Sequence, residues 1–410
     1  MKFILNSLNY SPELTGIGKY NGELCPELQK IGFDVTAVVA PPYYPEWRIK
    51  SGFSRFLYSQ KVDNGVSVLR CPLYVPSKVT TIKRLIHLGS FAISSFFGLF
   101  SKLFQKPDVV FFVQPTLLCA PAVLLFCKIT GAKSVMHIQD YELDALFGLG
   151  MMNDGKTAKY ARKVECWLLS KFDAVSTISY SMMENAIAKG VSKDKLIFFP
   201  NWSDTDFVTP SVDGNALRME WGFTANDKIA LYAGNIGKKQ GLELVIQAAD
   251  KLKHKPEIKF LIVGTGSHVS ELKKLSTDLG LKNVFFKPLQ PWGKVPEMLA
   301  MTDIHLVIQK RGAADAVLPS KLTNILSAGG HALVTAEEHT ELGQIAVNHP
   351  GIYSLVEPEN IDKFVASLTE LLSSDLTEHN RIARNYANEY LAKNKVINNF
   401  SENIRSRFDS

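Results

Sequence analysis

The sequence predicts an α/β protein with two doubly wound parallel-sheet domains that face each other across a cleft. Three observations lead to this fold class. The chain has 410 residues, which is more than one hydrophobic core usually supports. Short apolar runs without alternation recur along it, as expected of strands buried on both faces. Helical patterns separate these runs, such as the i, i+3, i+4, i+7 spacing of apolar residues between Leu242 and Leu252.

Ten apolar runs are predicted as strands, five in each half of the chain. They are 3–8, 35–40, 109–113, 134–138, 174–178, 229–233, 260–263, 284–286, 304–308 and 332–335. The stretch 198–210 lies between the two sets and is rich in Pro, Asn and Asp, which favours an irregular connection. We therefore interpret it as the interdomain linker.

The composition is that of an ordinary globular protein, with a formal net charge of +6. The five cysteines show no CxxC or Cys/His metal spacing and are predicted to be reduced thiols. The N-terminal run 1–8 lacks the features of a signal peptide and reads as a first buried strand. These features predict a cytoplasmic protein, and no nucleic-acid partner is expected.

Positive charge is concentrated between Arg48 and Lys106. This stretch contains ten Lys or Arg residues and one acidic residue, Asp63. Within this region, segment 83–106 has a helical stripe of polar residues, and aliphatic and phenylalanine side chains fill the rest. Its uncharged stretch, 85–101, is slightly too short and too polar to span a bilayer. A basic amphipathic helix of this kind can lie on an anionic membrane leaflet. The alternative is a core helix with solvated lysines.

A basic, turn-rich loop follows the predicted strand 304–308 and runs into a helix. Backbone N–H groups at a helix N-terminus attract anions, and Lys310, Arg311 and Lys321 add side-chain charge. The loop is therefore predicted to bind an anion, most plausibly phosphate. The alternative is a solvated loop without a ligand.

Other glycine-rich or polar loops follow strands at the same sheet edges, where ligands bind in open α/β folds. Gly16 and Gly18 follow the first strand, Gly234 to Gly241 follow strand 229–233, and Gly266 follows strand 260–263. Gly16 and Gly18 permit close approach of the backbone to a phosphate or sugar, whereas Gly266 favours close backbone packing beside a ligand. Both Gly-x-Gly pairs lack the third glycine of a dinucleotide fingerprint, so nicotinamide binding is not expected.

His137 is predicted at a strand terminus, with Asp140 and further acidic residues after it, where a carboxylate can orient or assist an imidazole. Asp204 and Asp206 have the spacing of a DxD cation motif, but they lie in the linker and offer too few ligands for magnesium. We therefore predict no metal site and no cofactor. If the ligand is a diphosphate leaving group, its charge must be neutralised without a metal, by lysines, arginines and backbone donors.

With these loops in view, the chain resembles the retaining family 4 glycosyltransferases of GT-B fold over nearly its whole length. It looks most similar to bacterial colanic-acid biosynthesis fucosyltransferases and fucosamine-transferase-like proteins. The motifs that carry this resemblance are PELTGIGKY, APPYYP, RCPLYVP, HIQDYE, FFPNWSD, GNIGKKQGLE and QKRGAADAVLPSKLTNIL.

The resemblance implies metal-independent, retaining transfer of a sugar from a nucleotide-diphosphate sugar to a lipid-linked sugar acceptor at the inner membrane. It implies an acceptor-side domain at 1–203, joined by 386–410, whose last helix is 389–407, and a nucleotide-sugar domain at 204–385. His137, with Asp140, would lie beside the transferred sugar. The implied donor-binding residues are Gly16, Gly18, Asn235, Lys238, Lys239, Gly241, Gly266, Lys310, Arg311, Ser320, Lys321, Leu322 and Asn324.

The chain departs from the wider family at several positions. Asn235 replaces an arginine, Gln240 a lysine, and Ala316 and Asn324 a pair of glutamates. Two other functions therefore stay open: a sugar-nucleotide epimerase on the same fold, which would not need a basic amphipathic surface, and a catalytically silent nucleotide-sugar-binding subunit.

Overall fold

The computed structural model describes residues 1–14, 16–78, 80–141, 143, 155–311, 319–374, 376 and 378–408. The chain packs into two compact units. Unit 1 comprises Met1–Pro200 and Ile397–Ser410, and unit 2 comprises Asn201–Val396. The assignment of acceptor and donor to these units stays a prediction.

The described part of unit 1 contains an eight-stranded sheet in the order β3-β4-β2-β1-β5-β6-β7-β8. Strand β3 is antiparallel to β4, and all other neighbours are parallel. The strands are β1 Lys2–Ser7, β2 Asp34–Val39, β3 Ser59–Asp63, β4 Val66–Arg70, β5 Val109–Gln114, β6 Lys133–Ile138, β7 Ala174–Thr177 and β8 Leu196–Phe198. Because β5 is buried along its whole length, it forms the centre of this core.

Helices connect the parallel strands of unit 1, as the βα alternation of the sequence predicts. They are α1 Gly16–Lys30, α2 Thr81–Phe100, α3 Ala120–Thr130, α4 Lys156–Lys171 and α5 Tyr180–Ala188. The side chains of Thr80 and Ser179 cap α2 and α5 by accepting backbone N–H bonds. Gly131 ends α3 at φ 79°, a backbone conformation that favours glycine.

Unit 2 contains a parallel sheet in the order β11-β10-β9-β12-β13-β14. The strands are β9 Lys228–Ala233, β10 Ile258–Val263, β11 Val284–Lys287, β12 Ile304–Val307, β13 Ala332–Thr335 and β14 Ser354–Val356. The helices are α6 Asn215–Glu220, α7 Glu243–Lys251, α8 Val269–Asp278, α9 Val295–Ala300, α10 Ser320–Ser327, α11 Glu341–Asn348, α12 Ile361–Ser373 and α13 Arg381–Tyr386. The apolar faces of α7, α10 and α12 pack into the core clusters beside this sheet.

The last helix, α14, spans Lys393–Phe408. It begins later than the predicted residue 389 because Ala387–Leu391 forms a separate π-helical turn. Residues of α14 complete the core of unit 1: Phe400 stacks on Phe199 with ring centroids 4.0 Å apart. Unit 1 is therefore built from both ends of the chain.

The structure confirms all ten predicted strands, with small differences at their ends. Sequence analysis missed β3, β4, β8 and β14. Strand β3 is exposed at every residue and lies at the sheet edge, so it lacks the apolar run used to find strands. Strands β8 and β14 have three residues each, which is too short for a periodic pattern.

Helix α2 differs from its prediction in both length and orientation. It ends at Phe100, and Leu103–Gln105 forms a separate short turn. Its polar stripe faces the protein: the His87 ring donates a hydrogen bond from Nδ1 to the carbonyl of Tyr74, and the Ser94 hydroxyl donates to the Pro72 carbonyl. Among the described residues, no helix is long and apolar enough to cross a membrane.

Each sheet has a point where the chain reverses its direction of growth across the sheet. In unit 1 it lies between β1 and β5, and in unit 2 between β9 and β12. Ligands of open α/β sheets bind outside the carboxyl ends of the strands at such points. These two places are therefore where functional side chains are expected.

Candidate functional site

Lys321 is the central feature at the switch point of unit 2. It lies in the first turn of α10, and its ammonium group sits 3.6 Å from the ring centroid of Tyr232 in β9. No carboxylate among the described residues pairs with it. Burial of the amine lowers the pKa of Lys321 from 10.5 to about 7. A partly buried lysine at a helix N-terminus, with no counter-ion among the described residues, is prepared for an anionic ligand.

Glycines bring the loops after β9 and β10 close together beside this lysine. A Cβ atom on Gly234 would lie 3.1 Å from the Lys321 Nζ. A Cβ on Gly266 would lie 2.1 Å from the carbonyl oxygen of Ile236, and Gly266 has φ 159°. Gly266 thus allows the close approach of the two loops, and its predicted place beside a ligand stays a prediction.

Lys310 and Lys238 add positive charge close to these glycine loops. The Lys310 side chain packs on Gly241, whose Cβ would lie 2.9 Å from the Lys310 Cγ. Lys238 is exposed and lies 3.7 Å from the Glu271 carboxylate, a pair that solvent weakens. Asn235 contributes a carbonyl that accepts the Tyr232 hydroxyl. The side chain of Lys239 lies outside the described part of the structure.

Arg311 does not join this positive cluster. Its guanidinium donates to the carboxylates of Glu337 and Glu357, at 3.1 Å and 2.7 Å. Two carboxylates therefore neutralise its charge near the ends of β13 and β14. This pairing does not favour the predicted role of Arg311 at the donor phosphates, which stays a prediction. Residues 312–318 of the predicted anion-binding loop, including Ala316, lie outside the described residues.

Three further predicted donor-binding residues lie in α10. Ser320 is exposed at its first position, where backbone N–H groups are available. The amide oxygen of Asn324 accepts from the Ser203 hydroxyl at 2.9 Å. The Leu322 side chain is buried in the core, and its N–H donates to the Pro319 carbonyl. Leu322 therefore offers a ligand no free group, which corrects its place in the predicted site.

The structure places His137 in the core of unit 1, not at a site surface. Its side chain is 2% exposed and stacks on Phe111 and Phe199. One ring nitrogen bonds the Ser176 hydroxyl and the other the Gln139 amide, as suits a neutral ring protonated on Nδ1. Burial lowers the pKa of His137 to about 3. The predicted contact with the transferred sugar is therefore corrected: β6 continues past His137, so its side chain points into a core layer.

Asp140 follows the end of β6 and is partly buried, at the sheet edge where it was predicted. Glu142 and Asp144, the acidic neighbours in the prediction, lie outside the described residues.

Gly16 and Gly18, which follow β1, have different roles. Gly16 has φ 57° and open space where a side chain would stand, so a ligand can approach its backbone. Gly18 instead makes room for Glu13, since a Cβ there would lie 2.5 Å from the Glu13 Cβ. Glu13 is buried and accepts N–H bonds from Tyr43 and Tyr44, both at 2.9 Å. Gly18 therefore serves packing, which corrects its predicted contact with the donor.

Asp204 of the DxD sequence forms a 2.7 Å ion pair with Lys393 and accepts the Phe207 N–H. Its carboxylate thus has a structural role in unit 2. Among the described residues, no cluster of His, Cys, Asp or Glu has the arrangement of a metal site.

Sequence reasoning missed two residues near the candidate anion site. Tyr232 supports the Lys321 ammonium, but a tyrosine within a buried strand gave no signal of this role. His268 bridges the carboxylates of Glu243 and Glu271, on different helices beside the glycine loops. Their spacing in sequence has no recognisable motif.

Comparisons with known proteins agree with this geometry. Residues 214–390 match the family described as glycosyl transferases group 1, and residues 15–202 match a glycosyl transferase 4-like domain. The chain is 49% identical to the putative colanic acid biosynthesis glycosyl transferase WcaI of Escherichia coli K12, over 99% of this chain and 100% of that protein. It is 23% identical to the probable glycosyltransferase WbjE of Pseudomonas aeruginosa, over 73% of this chain and 75% of that protein.

Solved structures are similar in fold. Sucrose-phosphate synthase from Thermosynechococcus elongatus has a TM-score of 0.75 at 14% identity, covering 100% of this chain and 99% of that one. Anabaena Alr3699/HepE, solved in complex with UDP and glucose, has a TM-score of 0.71 at 14% identity, covering 99% and 100%. Both sheets, the glycine-linked loops and these matches lead to one conclusion. The chain belongs to the glycosyltransferases of group 1, with a family 4-like N-terminal domain and the GT-B fold.

Proposed function

We propose that the protein transfers fucose or a related sugar, with retention, from a GDP- or UDP-sugar to a lipid-linked oligosaccharide. The process it serves is exopolysaccharide assembly of the colanic-acid kind, or O-antigen assembly. The relative WcaI, whose name refers to colanic acid biosynthesis, supports this context through 49% identity over the whole chain.

The Lys321 ammonium, which pairs with no carboxylate of the described residues, is the observation that supports a diphosphate donor most directly. Bound phosphates would supply a counter-ion and would meet the first N–H groups of α10. Lys310 would add a second positive charge from the β12 loop. Transfer then needs no metal, because these donors stabilise the charge that develops on the leaving diphosphate. The leaving diphosphate also accepts the acceptor proton.

Donor specificity and metal use can be tested together. We expect GDP-fucose or a UDP-sugar to raise the melting temperature, and transfer to a lipid-linked acceptor to continue in EDTA. Turnover that is lost in EDTA and restored by magnesium or manganese would contradict metal-independent transfer. Interconversion of a donor without any acceptor would favour the epimerase, and failure to bind any nucleotide sugar would exclude the donor site.

The apolar side of α2 supports a peripheral position on the inner membrane. Because the polar stripe of the helix faces the protein, Ile82, Leu85, Ile86, Ile93 and Phe97 are each more than half exposed. The connection between β2 and β3 adds further exposed apolar side chains, Phe56 and Leu57, and it is tied to α2 by a bond from the Tyr58 hydroxyl to the Ser94 carbonyl. Apolar side chains flanked by lysines and arginines suit an anionic leaflet.

One predicted membrane contact needs correction. Lys102 is 7% exposed and donates to the Gln60 amide oxygen at 2.9 Å, so it holds β3 against the helix region. Lys83, Arg84 and Lys106 retain some or full exposure. They are the basic residues of segment 83–106 that we propose to meet lipid headgroups.

Replacing Ile86, Ile93 and Phe97 with serine is expected to reduce co-sedimentation with anionic liposomes by about tenfold or more, because each buried apolar side chain contributes about 1.5–3 kcal/mol. Matched controls are Met219→Ser and Val347→Ser, which remove exposed apolar side chains from unit 2 and should not change binding. Binding of the parent should weaken as salt rises. Equal co-sedimentation of the triple variant and the parent would return α2 to a role unrelated to membranes.

A further inference from the structure

The carboxyl end of β5 holds polar atoms that the transfer mechanism above does not use. Gln114 is the last residue of β5, at the switch point with β1, and its side chain is 1% exposed. Neither its amide oxygen nor its amide nitrogen has a hydrogen-bond partner among the described residues. The same holds for the hydroxyl of Thr116, which is fully buried.

A third residue with an unpartnered atom, Asn6, lies on the same face of the sheet as Gln114. Asn6 of β1 pairs in register with Phe112 of β5, so these two side chains point to one face, and Gln114 follows two residues later on that face. The Asn6 amide oxygen is buried without a partner, and its nitrogen makes a long 3.5 Å bond to the Val38 carbonyl. Asn6 and Gln114 thus lie on one face of adjacent strands, two residues apart in register.

Other polar groups at this sheet edge are well satisfied. The Asn21 amide donates to the Ser7 hydroxyl and the Asn9 carbonyl, at 2.9 Å and 3.0 Å. The Glu13 carboxylate accepts three hydrogen bonds. Unpartnered buried polar groups destabilise a fold, and the residues before Gln114 in β5 are apolar. A residue chosen for stability alone would be apolar here too, which indicates a functional reason for the amide.

We propose that Gln114, Thr116 and Asn6 form a subsite that hydrogen-bonds the hydroxyl groups of the acceptor sugar. A carboxamide both donates and accepts, and a hydroxyl group does the same, so the two match sugar hydroxyls. The uncharged set is unsuited to a diphosphate, which needs positive charge. This inference rests on the proposed transfer reaction, and it adds the residues of unit 1 that recognise the acceptor.

The subsite is closed in the ligand-free protein, since the unpartnered atoms have almost no exposed surface. Gln114 has three rotatable side-chain bonds and stands at a strand end. Rotation of its side chain can present the amide to a sugar without a change in the sheet. The acceptor then supplies the hydrogen bonds that the described residues do not make to these atoms.

The test compares Gln114→Met and Thr116→Val, which keep the side-chain volume but remove the polar atoms. Methyl glycosides of common hexoses and of fucose serve as soluble acceptor probes, with binding measured by saturation-transfer NMR. We expect at least one probe to bind the parent and to lose about tenfold in affinity in each variant. The melting temperature should stay the same or rise, because each variant removes an unsatisfied group.

Gln29→Met is the matched control for stability. The Gln29 amide oxygen accepts the Val35 N–H at 3.0 Å, so its loss should lower the melting temperature. The proposal is overturned if Gln114→Met lowers the melting temperature as Gln29→Met does, or if no probe binds the parent, or if affinity is unchanged. Nucleotide-sugar binding, measured separately by calorimetry, should stay at the parent level in both variants. Its absence in the parent would contradict the donor proposal instead.

Discussion

Replacing Lys321 with methionine is expected to weaken nucleotide-sugar binding by about ten- to a hundredfold, because a charge-assisted hydrogen bond contributes about 1.5–3 kcal/mol. The lysine ammonium rests on Tyr232 without a carboxylate partner among the described residues, so bound phosphate would be its counter-ion. Isothermal titration calorimetry with GDP-fucose and UDP-sugars measures the effect directly.

The same lysine predicts how donor affinity depends on pH. Burial gives Lys321 a pKa of about 7 in the free protein, and a bound diphosphate raises it by favouring the charged amine. Donor binding therefore takes up a proton above pH 7, and affinity should fall as pH rises from 7 to 9, by at most about tenfold per pH unit. In Lys321→Met this dependence should disappear.

Stability should respond with the opposite sign. Between a folded pKa of about 7 and the ordinary value of 10.5, the unfolded chain holds a proton that the folded protein lacks. Stability of the parent therefore rises with pH across this window. The methionine variant should melt above the parent at pH 7, and the difference should shrink toward pH 10.

Arg311→Met is the matched control, since Arg311 is already paired with Glu337 and Glu357. We expect donor affinity to change by less than about threefold, as for an exposed ion pair. The assignment of Lys321 to the phosphates would be wrong if its variant bound donor like the parent at every pH. A strong loss in Arg311→Met would support the original prediction for that residue.

Gly266→Ala is expected to lower the free energy of unfolding of unit 2 by about 2–4 kcal/mol and to weaken donor binding, through overpacking and backbone strain. The added Cβ would lie 2.1 Å from the Ile236 carbonyl oxygen, which is backbone and cannot rotate away. The loops after β9 and β10 would have to separate, which would displace Gly234 from Lys321. Thermal denaturation and calorimetry of the same samples measure both effects.

Gly280→Ala separates the effect of overpacking from that of backbone strain. Gly280 also has positive φ, at 63°, but open space lies where its Cβ would stand. Its substitution should therefore cost only the backbone strain, about 1–2 kcal/mol. Equal melting temperatures for the two variants would show that the close approach of the two loops is unimportant.

The fold could be predicted from the sequence because nine of the ten predicted strands are largely buried on both faces, and burial leaves a continuous apolar run; β11, which is only partly buried, keeps a short apolar run as well. β3 leaves no such run, since hydrogen bonds to β4 hold it at an exposed edge. Helix α2 was found by its period, but its orientation was not, because its serines and histidine find backbone partners in the 72–74 segment. Such pairing depends on tertiary structure, which a helical pattern does not contain.

The candidate site was predictable only in part. The charge and position of Lys321 follow from the sequence, since the helix that follows a parallel strand begins at the carboxyl edge of the sheet. Arg311 and His137 each have a partner that is distant in sequence, Glu357 and Ser176. The local sequence pattern therefore gave no sign that the arginine is paired or that the histidine is buried. Gln114 and Thr116 gave no signal either, because an unpartnered atom is recognised only when its neighbours are known.

The course of α14 has a consequence for biosynthesis. Unit 1 uses residues from both chain ends: Phe400 stacks on Phe199, and the guanidinium of Arg405 donates to the Ile31 carbonyl at 2.8 Å. Unit 2 is continuous from Asn201 to Val396. On the ribosome, the residues that begin unit 1 emerge first, yet its aromatic core stays incomplete until translation has reached the last helix. Unit 2 has been translated completely before Phe400 is added, so the unit whose synthesis begins first is the last to be complete.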